Sequence, residues 1–179
     1  MGAGVMIFLR HPRPDVKDGT CYGRLDLDIH ADGHEQINLA VQTTPAVNKI
    51  LASPALRCRK LALSIAQRND LEPHFDDRLL EMHMGEWEGM LWKDIPREHS
   101  EPWLRDPFNL PCPGGESFRQ VQLRVLTALE NIDEDTAVIC HAGPIRAIQM
   151  AWTGLPFEQA FEQAPPYAQP INLRPEIQE

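Results

Sequence analysis

Positive charge is in short supply in this chain: 17 Lys and Arg stand against 26 Asp and Glu over 179 residues, a formal net charge of -9. A nucleic acid or an anionic membrane surface would ask for a basic face, so neither is expected as the main partner; an anionic small molecule needs only a local gathering of cations. No apolar stretch approaches the roughly 20 residues of a membrane span, and the N-terminus lacks the basic-then-apolar layout of a secretory signal. A cytoplasmic location is the resulting expectation. Cys21, Cys58, Cys112 and Cys140 form no C-x-x-C pair, which speaks against a zinc ribbon or a thioredoxin-like redox motif and for reduced thiols. His30 and His34 have metal-pair spacing, but Asp32 and Gly33 between them break a helical face, so no metal is expected. Repeats and linker-like composition are absent too, and the length suits one sizeable core, so a single domain over residues 1–179 is expected.

What the chain does have is a pattern of short apolar runs followed by polar residues and then helical periodicity. Val5 to Leu9, Ile50 to Ala52 and Ala137 to Cys140 read as buried strands of an α/β fold. After Ser53, the residues Leu56, Leu61 and Ile65 fit an amphipathic helix with Pro54 in its first turn. Ser117 and Gln120 make a capping-box start, and Phe118, Val121, Val125, Ala128, Leu129 and Ile132 recur at the helical period. A third helix is predicted to begin near Pro144, with Ile145, Ile148 and Trp152 inward. Pro12 to Gly33 and about 85–115 read as irregular loops over a site. From Pro165 the chain is predicted to run over the surface, with only Ile171 to Leu173 able to add a short strand.

In an open α/β sheet ligands sit outside the carboxyl ends of the strands, where His11, Ser53 and His141 would emerge. Arg10-His11 is the most informative pair. A neutral imidazole can attack phosphorus, and a guanidinium presents a permanently charged fork of donors to phosphate oxygens. Five segments then carry a resemblance: Leu9-Arg10-His11, Ser53-Pro54-Ala55-Leu56-Arg57-Cys58, the stretch Leu80 to Gly89, Pro113-Gly114-Gly115-Glu116-Ser117, and Cys140-His141-Ala142-Gly143-Pro144-Ile145-Arg146. In order and spacing they resemble the histidine phosphatase superfamily, also called phosphoglycerate mutase-like. The segments Gly19 to Asp26 and Gly85-Glu86-Trp87-Glu88-Gly89 look most like its alpha-ribazole phosphatase branch.

That resemblance implies a three-layer α/β/α sandwich with a mostly parallel central sheet, and a metal-independent phosphatase without cofactor. Its substrate would be a small phosphorylated metabolite, with alpha-ribazole 5′-phosphate the narrower candidate, and a homodimer is compatible with it. It casts His11 as the nucleophile that forms a phosphohistidine. Arg10, Arg57 and His141 become a clamp on the transferred group, and Glu81 the general acid and base. Tyr22, Gly23 and Ala142 are implied as substrate-binding positions. Glu86, Glu88 and Glu116 are rival carboxylates, read as solvated or capping groups. Tyr22, Trp87, Trp92 and Trp103 are candidates to stack an aromatic base, against the commoner core role of tryptophan.

The departure from the family is Pro12, where glycine or threonine is usual. Proline has no amide to offer phosphate and holds His11 extended; Arg13 is a candidate substitute cation. Pro12 motivates one alternative, a silent phosphate-ligand-binding protein. A second alternative is a phosphoglycerate mutase, which the compact interval between Arg57 and His141 disfavours.

Overall fold

Apolar on every residue rather than on alternate ones, the predicted strand runs need cover on both faces, and they receive it. The computed structural model describes residues 6–175 apart from 131, 133 and 134; Val5, placed in the first strand above, lies outside the described residues. In chain order the elements are β1 (Met6–Arg10), α1 (Gly33–Thr43), β2 (Lys49–Ala52), α2 (Leu56–Asn69), β3 (His74–Phe75), α3 (Arg97–Arg105), α4 (Phe118–Leu129), β4 (Thr136–Cys140), α5 (Ala142–Thr153), α6 (Phe157–Glu162) and β5 (Pro170–Leu173). The sheet runs β3-β2-β4-β1-β5. β1, β2, β3 and β4 are parallel, and β5 is an antiparallel edge on β1.

Alternation along each strand sends its side chains into two separate apolar layers. Phe8, Leu51 and Val138 pack with Val121 and Val125 of α4 and Ile145 and Ile148 of α5. Ile7, Leu9, Ile50 and Ile139 pack instead with Ile37 and Ala40 of α1 and Leu61 and Ile65 of α2. The result is the expected three-layer α/β/α sandwich with a mostly parallel sheet.

Helix starts follow local chemistry. The Ser117 hydroxyl accepts the Gln120 N–H while the Gln120 side chain accepts the Ser117 N–H, a complete capping box for α4. Helix α2 is capped from afar, its Leu56 N–H donating to Asp26 of the first long loop, and Pro54 precedes the helix rather than lying in its first turn. Helix α5 begins at Ala142, two residues before the predicted start, because Pro144 lies within the first turn, where no intrahelical N–H is required.

Two sequence readings need correction. The stretch at 85–115 is not wholly irregular: it holds α3, with Pro96 at the N-cap and Pro102 inside. No residue of α3 is fully buried, so the carbonyl that Pro102 leaves unpaired can turn to water. Nor does the tail simply skirt the surface. Pro165 and Ala168 are buried, because an antiparallel strand on β1 must begin where β1 ends, and that brings the residues before Pro170 to the carboxyl edge of the sheet. Helices α1 and α6 and the two-residue β3 had no reading, being too short or too polar to show a period.

Replacing Ser117 with Ala should lower stability by about 1 kcal/mol through loss of the cap, measured as a shift in the urea midpoint with an unchanged slope.

Candidate active site

Parallel register brings three strand ends together. Arg10 pairs with Cys140 and Ala52 with Ile139, so His11, Ser53 and His141 leave the same edge. The His11 and His141 rings lie 5.0 Å apart, centre to centre. Both are buried, at 1% and 0% exposure, as is Arg57 at 0%.

The backbone settles the tautomer of His11. Its Nδ1 lies 2.7 Å from the Pro12 carbonyl oxygen, which can only accept, so Nδ1 carries the proton and Nε2 keeps its lone pair. Proline therefore removes an amide at this position but retains the acceptor that orients the His11 ring. Burial drives the His11 pKa well below 6.5, and the charges of Arg57 and Arg10 push the same way against the Pro12 carbonyl.

His141 is likewise driven well below 6.5, first by burial and then by Arg57 and His11. Burial thus favours the neutral imidazole, a hydrogen-bonding group rather than a third cation beside the two arginines. The Ser53 hydroxyl lies 2.8 Å from His141 Nε2 and also accepts from the Ala55 N–H at 3.4 Å.

Arg57 enters from the first turn of α2 and donates to the carbonyls of Leu25 at 2.7 Å and Gly23 at 2.8 Å. Arg10 donates to the carbonyl of Pro165 and to the Tyr167 hydroxyl, each at 3.0 Å, with its guanidinium 3.8 Å from the Tyr167 ring centre. Among the described residues neither arginine is in an ion pair, and the Nε of each is buried without an acceptor. Burying a cation without a counter-ion costs several kcal/mol, and the two donors left over are of the kind that bind an anion. The neighbouring thiols are not competitors: burial pushes Cys58 up to about 12 and Cys140 well above 9.0.

Glu81 is held at both ends. Its carbonyl accepts from Arg24 Nε at 2.9 Å and Arg124 Nη2 at 3.1 Å. Its carboxylate accepts the Met82 N–H at 2.9 Å and the Gly143 N–H at 3.2 Å, the latter in the first turn of α5. A Cβ on Gly143 would stand 2.2 Å from Glu81 Oε1, so glycine is what lets the carboxylate reach the helix end.

The rival carboxylates have other work. Glu88 accepts the backbone N–H groups of Gly23, Arg24, Leu25 and Met84 and ties the two loops together. For Glu116 burial opposes ionisation, but hydrogen bonds from Arg124 and the His83 N–H outweigh it and hold its carboxyl below the usual value. Glu86 is exposed.

The binding positions fall unevenly. Gly23 supports Arg57, and Ala142 opens α5 beside His141. Tyr22 lies with its ring centre 5.7 Å from the Arg57 guanidinium; burial, then the neighbouring Tyr167, pushes its phenol up to about 12. Arg13 stands at the surface against Asp32, not as a replacement for the amide lost at Pro12. Tyr167 was missed, although its ring centre is 5.7 Å from that of His11; its only sequence signal was a tyrosine shortly before the short apolar run at 171–173.

Comparison with known proteins decides the family. The histidine phosphatase superfamily (branch 1) model matches residues 6–175. The chain belongs to the histidine phosphatase superfamily. It is 30% identical over 161 residues to phosphoserine phosphatase 1 of Hydrogenobacter thermophilus, covering 84% of this chain and 76% of that protein. It is 26% identical over 170 residues to glucosyl-3-phosphoglycerate phosphatase of Mycolicibacterium vanbaalenii, covering 86% and 76%. Among solved structures, a mycobacterial glucosyl-3-phosphoglycerate phosphatase superposes with a TM-score of 0.76 at 24% identity, covering 91% of this chain and 86% of that one. A phosphoglycerate mutase from Thermus thermophilus gives 0.67 at 30%, covering 83% and 84%.

Beside the catalytic edge, this histidine phosphatase has a cavity of about 310 Å³ that shares Glu81 and Gly143 with the site. Trp92 and Trp103, stacked at 6.1 Å, form one wall, and Phe118, Phe157 and Phe161 another. Trp87 is in the core, 2% exposed, and Tyr22 faces Arg57 instead.

Two outcomes follow from this geometry. Gly143→Ala should displace the Glu81 carboxylate and lower kcat by about 100-fold, the order expected for a catalytic group moved by 1 Å, with thermal unfolding little changed; undiminished kcat would contradict it. Stability should also depend on pH. Each buried imidazole stays neutral in the folded protein but titrates at 6.5 when unfolded. Its contribution is thus complete above pH 6.5 and is lost as pH falls below that value, by about 1.4 kcal/mol per pH unit while the folded form stays neutral. Urea unfolding of wild type and His11→Asn at pH 7.5 and 5.5 checks this: the variant should lose one imidazole's share of the drop.

Proposed function

We propose that this histidine phosphatase hydrolyses a small phosphomonoester, without metal, through a phosphohistidine on His11. The single observation that carries the reading is His11 itself: neutral, its Nε2 lone pair free, beside the buried Arg57 and the half-buried Arg10, which have no carboxylate partner among the described residues and whose Nε atoms are buried without an acceptor. A dianionic phosphoryl group is the ligand that such a pocket suits.

In the first step His11 Nε2 forms a bond to phosphorus as the bond to the leaving oxygen breaks, and Glu81 gives that oxygen its proton. In the second, Glu81 takes a proton from water, the oxygen of that water bonds to phosphorus, and the P–N bond breaks, returning His11 and inorganic phosphate. Arg10 and Arg57 stabilise the charge on the equatorial oxygens. At about 4 Å and an effective dielectric near 20, each such pair is worth roughly 4 kcal/mol before desolvation. His141, neutral, contributes a hydrogen bond, its ring held in place by Ser53.

Within this class we propose alpha-ribazole 5′-phosphate as the specific substrate, on the segments Gly19 to Asp26 and Gly85 to Gly89. The named relatives act on phosphoserine and glucosyl-3-phosphoglycerate, and these belong in the same assay.

Hydrolysis of p-nitrophenyl phosphate should persist in chelator. His11→Ala should abolish both turnover and an acid-labile phosphoenzyme trapped by rapid quench. Turnover undiminished in that variant, or lost on chelation in the wild type, would refute the mechanism.

A further inference from the structure

The leaving oxygen has to meet Glu81, and Glu81 is also a wall of the 310 Å³ cavity. An alcohol whose oxygen meets the Glu81 carboxylate therefore lies at the border of that cavity, which Gly143 also lines. Its lining is almost wholly apolar: among its twelve residues only Glu81 and Arg146 carry charge. Arg146 is already engaged, donating from Nε to the Ala160 carbonyl at 3.0 Å and from Nη2 to the Gln163 carbonyl at 3.5 Å, with its guanidinium 4.4 Å from the Phe161 ring centre. These bonds brace α6 and hold the guanidinium against the Phe161 ring.

Resting on the phosphohistidine reading above, we propose that this cavity binds an apolar, aromatic portion of the substrate alcohol, and that Trp92, Trp103 and Phe161 determine specificity. Three observations favour an aromatic occupant. The two walls are aromatic, with Trp92 and Trp103 at an interplanar angle of 24° and Phe157 and Phe161 4.5 Å apart at 32°, so a ring entering between them meets π faces and edges. Trp92, Leu104 and Phe161 are 44%, 62% and 41% exposed, large apolar groups left in water around one opening. The volume lies at the lower end of the roughly 300 to 1,000 Å³ usual for small-molecule sites, enough for one or two rings.

Alcohols bearing charge fare worse by the same reasoning. The ammonium and carboxylate of phosphoserine, or the carboxylate of a phosphoglycerate, would lose water among these apolar walls, where Glu81 and Arg146 are the only charged lining residues and Arg146 already spends donors on two carbonyls. Trp92 and Trp103 come from the stretch at 85–115 and Phe161 from α6, so these three specificity residues lie outside the five motifs.

Leaving-group chemistry must be held constant in the test, so the probes are 2-phenylethyl phosphate and ethyl phosphate, both primary alkyl esters, with phosphoserine alongside. The expected result is a kcat/KM at least about 10-fold higher for the phenylethyl ester than for the other two, consistent with burial of one ring. Trp103→Ala and the rim variant Trp92→Ala should each cut that advantage several-fold while leaving ethyl phosphate turnover unchanged. Equal kcat/KM for the two alkyl esters, or preference for phosphoserine, with turnover still lost in His11→Ala, would overturn the pocket and leave the phosphatase reading intact. If no ester is turned over and no phosphoenzyme forms, that reading falls. Calorimetric binding of the same two alkyl esters then decides the pocket by itself: equal affinities overturn it, and tighter binding of the phenylethyl ester that Trp103→Ala abolishes supports it.

Discussion

Arg57, buried at 0% exposure without a carboxylate partner among the described residues, is the constraint on which the site depends. A lone cation inside a protein is costly, and here it is tolerated because two loop carbonyls, from Gly23 and Leu25, accept its Nη protons. Those carbonyls are positioned in turn by Glu88, which gathers the amides of Gly23, Arg24 and Leu25. Together with burial, the charge of Arg57 keeps His11 and His141 neutral. One buried guanidinium thus links loop order, protonation of the imidazoles and affinity for an anion.

The same economy explains Pro12. At this position a proline can supply no amide, but it keeps a carbonyl that fixes the His11 tautomer. The orientation of the His11 ring is preserved while one amide donor is given up. The two unpaired Nε groups of Arg10 and Arg57 are of the right chemistry to offset that loss.

The antiparallel edge strand β5 has a consequence beyond closing the sheet. Pairing Leu9 with Pro170 obliges the preceding residues to cross the carboxyl edge, so Tyr167 lies on Arg10 and beside His11. A residue far from every motif thereby becomes part of the catalytic surroundings. Helix α6 does the same for the neighbouring cavity, supplying Phe157 and Phe161.

Much of this was legible from residues alone. Continuous apolar runs marked β1, β2 and β4, since parallel strands covered on both faces leave no polar alternation, and the Ser117 and Gln120 pair marked the start of α4. The order of the motifs around His11, Arg57, Glu81 and His141 located the candidate site. Local pattern could not reveal Tyr167, α6 or the apolar cavity, because each arises from segments distant in sequence meeting across the sheet edge. Nor could it show that His141 is neutral or that Arg146 is occupied. Protonation and pairing depend on burial and on which carbonyls lie within about 3 Å, and those are set only when the chain has folded.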